Sequence, residues 1–212
     1  MAPGTRWIDL PLAEFAERLS ERTPTPGGGS LSAYLAACGA AAASMAFRLT
    51  RGERFAEVES AMAARAAELD AVRAHALELV QRDSDAYDAV SAAFRLPKGS
   101  EDEKVERSAA IQAAMLGALE VPLETMRIAL SGLRLVAEGA PESNPNVASD
   151  CASGAQALAA GLEGAAANVR INAKSLRDRS LAAARLAECA RLREQARQLL
   201  QEVEAAVAPH LA

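Results

Sequence analysis

Aromatic side chains are scarce in this sequence: one Trp, two Tyr and four Phe among 212 residues. Histidine is scarcer, at two, and there are three cysteines. Each shortage argues against a class of function. Cys38, Cys151 and Cys189 are odd in number, far apart and without Cys-x-x-Cys spacing. That argues against structural disulfides and a zinc site, and fits a reducing cytoplasm. His75 and His210 neither begin nor end a Glu-x-x-His pair, which argues against a di-iron bundle. Metal ligands are therefore expected to be none. The net charge is −5 and no basic block occurs, so nucleic acid is not an expected partner. The first twenty residues lack the basic start and apolar core of a secretory signal. Residues 31–47 carry no charge but consist largely of Ala, Ser and Gly. The run falls short of the about 20 predominantly apolar residues that a span requires, so a helix buried among helices is expected, and no membrane.

Half of the residues are apolar, and alanine carries much of that share. Alanine is the best helix former and suits helices that approach closely. Strand patterns and internal repeats do not stand out, while helical periodicity recurs along the chain. Asp9 stands as an N-cap, with Pro11 in the first turn, for a helix ending near Ser20. A second helix is expected from Ser30 to Thr50, and a long third one over 53–94. Ser100 and Glu103 have capping-box spacing for a fourth over 101–138. Pro122 in its middle predicts a kink. After a loop at 139–146, a helix begins at Val147, and a last one, a narrow-seamed packing or dimer helix, spans about 181–207. The fold class is therefore all-α: one domain over 1–212, a bundle of five to six long helices.

Several polar features stand out against this pattern. Pro24 and Pro26 form a stiff arm, Gly27, Gly28 and Gly29 can take φ values closed to other residues, and Ser30 stands as the N-cap of the second helix. Exposed N–H groups at such a helix start attract carboxylate or phosphate; a loop with a helix cap is the plainer reading. A Walker A loop does not fit, because no Lys-Ser or Lys-Thr follows the glycines. Asp83 falls on the apolar stripe of the third helix, one turn from Leu79 and from Tyr87. A carboxylate there is costly without partners or a task. Asp150, Asn168 and Asn172 lie on or beside the stripe of the fifth helix, and the two asparagines share a face. Asp150 and Asn168 share an azimuth but stand about 27 Å apart along one continuous helix, at a rise of ~1.5 Å per residue. Either these polar groups bond between helices, or they serve a ligand.

In order along the chain come Thr23 to Ser30 (TPTPGGGS), Leu49-Thr50, Asp83 with Ala86-Tyr87, and Leu96-Pro97-Lys98. Arg107, Val121-Pro122-Leu123, Asn146-Val147 with Ser149-Asp150, and Asn168-Val169 with Asn172 follow. This ordered set resembles the formiminotetrahydrofolate cyclodeaminase family, which includes stand-alone methenyltetrahydrofolate cyclohydrolases. The resemblance covers roughly residues 8–205. It implies an all-helical homodimer acting on a tetrahydrofolate derivative as substrate, with no cofactor and no metal, in a groove near the dimer interface. Asp83 is then the first candidate for a catalytic proton carrier and Asp150 the second. Asn168 and Asn172 would bond the pterin edge, and Gly27 to Ser30 would hold a carboxylate or the pterin through backbone N–H groups. Lys98 or Arg107 would meet the glutamate tail, polyglutamylated or not. Pro26, Tyr87 and Asn146 complete the expected binding set. Departures occur at Ser32 and Tyr34, where Tyr34 is expected to narrow the pocket, and at Gly99-Ser100. The formiminotransferase domain of bifunctional forms is not expected. The competing reading is a non-enzymatic helical dimer, a scaffold or a folate-binding module; the polar residues on apolar stripes weigh against it.

Overall fold

The uncharged run becomes helix α2 (Gly28–Arg48), which lies in the middle of the molecule against α3 (Glu59–Phe94) and α5 (Ala148–Ala173). The structure, a computed structural model, describes residues 6–211. Around those three helices stand α1 (Leu12–Ser20), α4 (Glu101–Gly139) and α6 (Arg179–Val207); among the described residues there is no strand. Twelve of the 21 residues of α2 are buried inside the bundle, so its apolar length is accounted for by packing.

Small residues decide how α2 and α5 meet. A Cβ on Gly39 would lie 2.6 Å from the Gly154 carbonyl oxygen, and one on Gly161 would lie 2.6 Å from that of Ser32. Backbone therefore meets backbone along this seam, at a spacing that only glycine permits. Elsewhere larger side chains fill the core: Phe47, Met62, Leu69, Leu123, Met126, Leu133 and Leu158 are all at most 1% exposed. Truncating such a leucine to alanine costs about 2–5 kcal/mol.

Helix ends follow local chemistry, with two departures from the sequence reading. Asp9 does not cap α1. Its carboxylate accepts from the Arg6 backbone and guanidinium, closing a 3₁₀ turn at Trp7–Asp9, and Pro11 is the N-cap. Ser30 does not cap α2 either. The helix starts two residues earlier, at Gly28, with Gly27 as N-cap and the Leu31 N–H bonding the Gly27 carbonyl. Ser100 does cap α4, in a full capping box with Glu103. α4 continues through Pro122.

Candidate active site

The first turn of α2 meets α3, α4 and α5 at a cavity of about 300 Å³. Pro24, Thr25 and Gly27 to Gly29 form one wall, Asp83, Tyr87 and Val90 a second, Met115 and Ala118 a third, and Asn168, Ile171, Asn172 and Ser175 the fourth. The glycine motif, the stripe-facing acid and the paired asparagines thus come together from four helices.

Asp83 is held against the α2 start. Its Oδ2 accepts from the Ser30 hydroxyl at 3.0 Å. Its Oδ1 sits where a Gly29 Cβ would be, 2.0 Å away. Gly29 is therefore needed for close approach, not for an unusual φ: among the described residues only Gly52 has φ in the left-handed region. Gly28 is less constrained, since a Cβ there would lie 3.6 Å from the Asn168 carboxamide nitrogen, an ordinary contact. The first turn of α2 carries no acid of its own, so Asp83 supplies from α3 the negative charge that a helix start favours. Burial nevertheless pushes the Asp83 carboxyl above its ordinary value, against the downward pull of the Ser30 hydroxyl and backbone N–H. Behind Ser30, its Oγ stands 3.2 Å from Ser84 Oγ, which accepts from the Trp7 indole N–H at 2.8 Å.

The asparagines are oriented by backbone carbonyls. Asn168 donates to the Gly164 carbonyl of its own helix at 3.0 Å. Asn172 donates across to the Ala118 carbonyl at 2.7 Å. Ala118 precedes Pro122 by four residues, and proline has no N–H to give, so its carbonyl lacks the usual helical donor. The Asn172 carboxamide takes that place. Pro122, expected to kink α4, thereby creates the acceptor that fixes a cavity side chain.

Other expected residues lie outside the cavity. Pro26 is buried next to the glycines, and Ser30 stands behind Asp83. Asp150 is in the first turn of α5, at the opposite end from Asn168 and Asn172. Asn146 is exposed in the 3₁₀ turn before α5. Lys98 is exposed in the α3–α4 turn. Arg107 caps the end of α3, donating to the Phe94 carbonyl at 3.0 Å with its guanidinium over the Phe94 ring. Tyr34 does not narrow the cavity. It packs on Phe15 at 5.3 Å between ring centroids, beside Trp7, Ile8, Leu10 and Val80. Val90, Met115, Ala118, Ile171 and Ser175 line the cavity without having been singled out in sequence. For Ala118 a signal existed: a mid-helix proline four residues on implies a carbonyl in need of a donor. A larger open groove, about 720 Å³, runs between α3 and α4 past Arg65, His75, Arg134 and Glu138, and contains none of the expected site residues.

A sequence model of the formiminotransferase-cyclodeaminase family matches residues 11–191. The chain belongs to this family. Its relatives include the methenyltetrahydrofolate cyclohydrolase of Methylorubrum extorquens, 37% identical over 175 residues, which are 82% of this chain and 84% of that protein. The formimidoyltransferase-cyclodeaminase of Rattus norvegicus is 32% identical over 83% of this chain, which there makes up 33% of the longer protein. The crystal structure of formiminotetrahydrofolate cyclodeaminase from Thermotoga maritima shares the fold, with a TM-score of 0.86 and 27% identity, covering 96% of this chain and 98% of that one. Of the family's matched stretch, the cavity uses residues from Pro24 to Ser175.

Proposed function

We propose that this chain is a folate one-carbon enzyme that acts on the carbon joining N5 and N10 of tetrahydrofolate, with Asp83 as the proton carrier. One observation carries the reading: a half-buried carboxylate with a raised proton affinity faces a cavity whose other polar lining is neutral. Such a group takes up a proton more readily than an ordinary carboxylate and gives it back, as general acid–base catalysis requires.

In the cyclohydrolase reaction, water attacks the bridging methenyl carbon of 5,10-methenyltetrahydrofolate. Asp83 accepts a proton of that water as the C–O bond forms. The tetrahedral carbon then collapses, its hydroxyl releasing a proton to solvent as the formyl C=O forms, while the C–N bond to a ring nitrogen breaks and Asp83 returns its proton to that nitrogen. In the cyclodeaminase reaction, N10 attacks the N5-formimino carbon and Asp83 takes the proton that N10 loses. The same carboxyl returns it to the amino group, which leaves as ammonia when its C–N bond breaks. Both reactions involve a delocalised amidinium cation, which the negative charge of Asp83 stabilises. The cyclohydrolase of Methylorubrum extorquens, 37% identical and covered to 84%, and the cyclodeaminase of Thermotoga maritima, 27% identical and covered to 98%, favour different reactions. The higher identity makes ring opening the activity to test first.

The cavity volume is at the lower end of small-molecule sites and suits a bicyclic pterin. Asn168 and Asn172 each retain Oδ1 and one N–H for the donors and acceptors of the pterin edge. The rest of the folate would leave past Tyr87 and Val90 along the α3–α4 hairpin, towards Lys98 and the free N–H groups of Arg107, which suit a glutamate or polyglutamate tail. Asp150 lies too far along α5 to share this carbon and is left as an acid for a second ligand contact or an interface. The proposal includes a single catalytic domain, a homodimer and a cytoplasmic setting. Tyr87 and Ile171 line the cavity yet are 45% and 62% exposed, which favours a second copy covering the rim.

An absorbance assay of methenyltetrahydrofolate, with and without the protein, tests the function. Loss of the methenyl band above the uncatalysed rate, abolished by Asp83→Asn, is the expected result. A rate equal to the blank for both reactions would leave a binding module as the better reading.

A further inference from the structure

Trp7 is the single tryptophan of the chain, and it precedes the residues that match the family, 11–191. It is nonetheless tied to α3 next to Asp83. Its backbone N–H donates to Gln81 Oε1 at 3.2 Å and its indole N–H to Ser84 Oγ at 2.8 Å. Ser84 is 2% exposed and Ser30 wholly buried, so the protons of both hydroxyls must be placed within the protein.

An indole N–H only donates. Ser84 Oγ therefore accepts from Trp7, and its own proton is available to Ser30 Oγ, 3.2 Å away. Ser30 in turn gives its proton to Asp83 Oδ2 at 3.0 Å. Hydrogen bonds in such a series polarise one another. We propose that Trp7, Ser84 and Ser30 form a one-way chain of donors that holds Asp83 Oδ2 as an acceptor and leaves Oδ1 to exchange the proton at the cavity, with Trp7 and Ser84 as positioning residues. The proposal rests on the reading of Asp83 as proton carrier. Oδ1 accepts no side-chain hydrogen bond among the described residues and lies against Gly29 of the cavity wall, while the Ser30 backbone N–H also holds the carboxylate. Oδ2 is thereby given the fixed role and Oδ1 the working one.

Charges do not complicate the chain. Among the described residues, α2 brings Gly29 and Ser30 to Asp83, and the cavity walls from α4 and α5 are uncharged. Tyr87, one turn on, is the other titratable group of the lining. On the side of Trp7, Arg6 and Asp9 bond each other in the exposed 3₁₀ turn.

The test is an NMR titration of the Asp83 carboxyl carbon in the full chain, identified as the resonance missing from Asp83→Asn. Trp7→Phe keeps the ring packing and removes the N–H. Ser30→Ala removes the bond to the carboxylate itself and should raise the titration midpoint by about one pH unit, the size of a hydrogen bond to a charged group. Ser84→Ala should raise it less, and Trp7→Phe by roughly a few tenths, because the polarising effect weakens with each bond. In the double variant Trp7→Phe with Ser84→Ala, loss of the indole should add nothing. The low-pH limb of kcat for methenyl opening should shift upward in the same order, with KM unchanged. An unmoved midpoint in Trp7→Phe overturns the chain, whether or not Ser84→Ala folds. Graded midpoints without turnover would sink the folate reading and keep the chain; turnover with unmoved midpoints would do the reverse.

Discussion

Asp83 shows what a single carboxylate gains from its surroundings. Burial raises its proton affinity while Ser30 opposes, so its protonated form is favoured in the fold relative to the unfolded chain. The stability this gives is fully present below the ordinary value of 3.8 and is lost as pH rises through the folded value. Asp83→Asn should therefore melt higher than the parent at neutral pH and converge with it below pH 3.8. Turnover of the same sample should fall by roughly 10²- to 10⁴-fold; near-normal turnover in a stable variant would remove Asp83 from the mechanism. The neighbouring glycines separate by geometry. Gly29→Ala places a methyl on Oδ1, 2.0 Å away, and should displace the carboxylate and abolish most activity. Gly28→Ala meets only an ordinary contact and should retain folate binding, measured by calorimetry. Equal losses at both positions would point to a helix-start effect rather than to contact with Asp83. Asp83 was legible in sequence because a charged residue interrupted an apolar stripe. Asp150 stands in the first turn of α5, away from the asparagines, as the separation of about 27 Å along one helix implied.

At the scale of elements, α4 combines an expected feature with a hidden one. Its capping box was readable from Ser100 and Glu103, and Ser100→Ala should cost about 1 kcal/mol in denaturant unfolding, with turnover unchanged. The partner of Pro122 was not readable, since Asn172 is fifty residues away on another helix. Pro122→Ala supplies an N–H that competes for the Ala118 carbonyl and releases the Asn172 carboxamide. The melting temperature should hold or rise, and KM for folate should rise about fivefold while kcat changes little, which matches the loss of about one hydrogen bond. An unchanged KM would mean that Asn172 needs no such anchor. The start of α2 was misplaced for a related reason. Three glycines weaken a helix by local propensity, yet packing on Asp83 extends the helix through two of them.

For the molecule as a whole, the all-α class followed from periodicity repeated over nearly the entire chain. The cavity did not, because four helices distant in sequence build it and no single stripe carries its outline. The exposed rim residues Tyr87 and Ile171 lead to a prediction at this scale. Light scattering at micromolar concentration should give twice the chain mass, and the melting temperature should rise with protein concentration. A monomer with full turnover would show that the cavity is complete within one chain.

The glycine seam between α2 and α5 bears on how this sequence can drift. A core leucine has acceptable substitutes one base change away, in methionine or valine. Gly39, Gly154 and Gly161 have none, because every missense change at a glycine codon adds a side chain where backbone atoms stand 2.6–2.9 Å from the new Cβ. Mutational scanning should find these three codons nearly closed while the apolar positions beside them stay open. Lineages can then exchange the leucines and alanines of the bundle freely, and the axis about which α2 and α5 cross stays where it is.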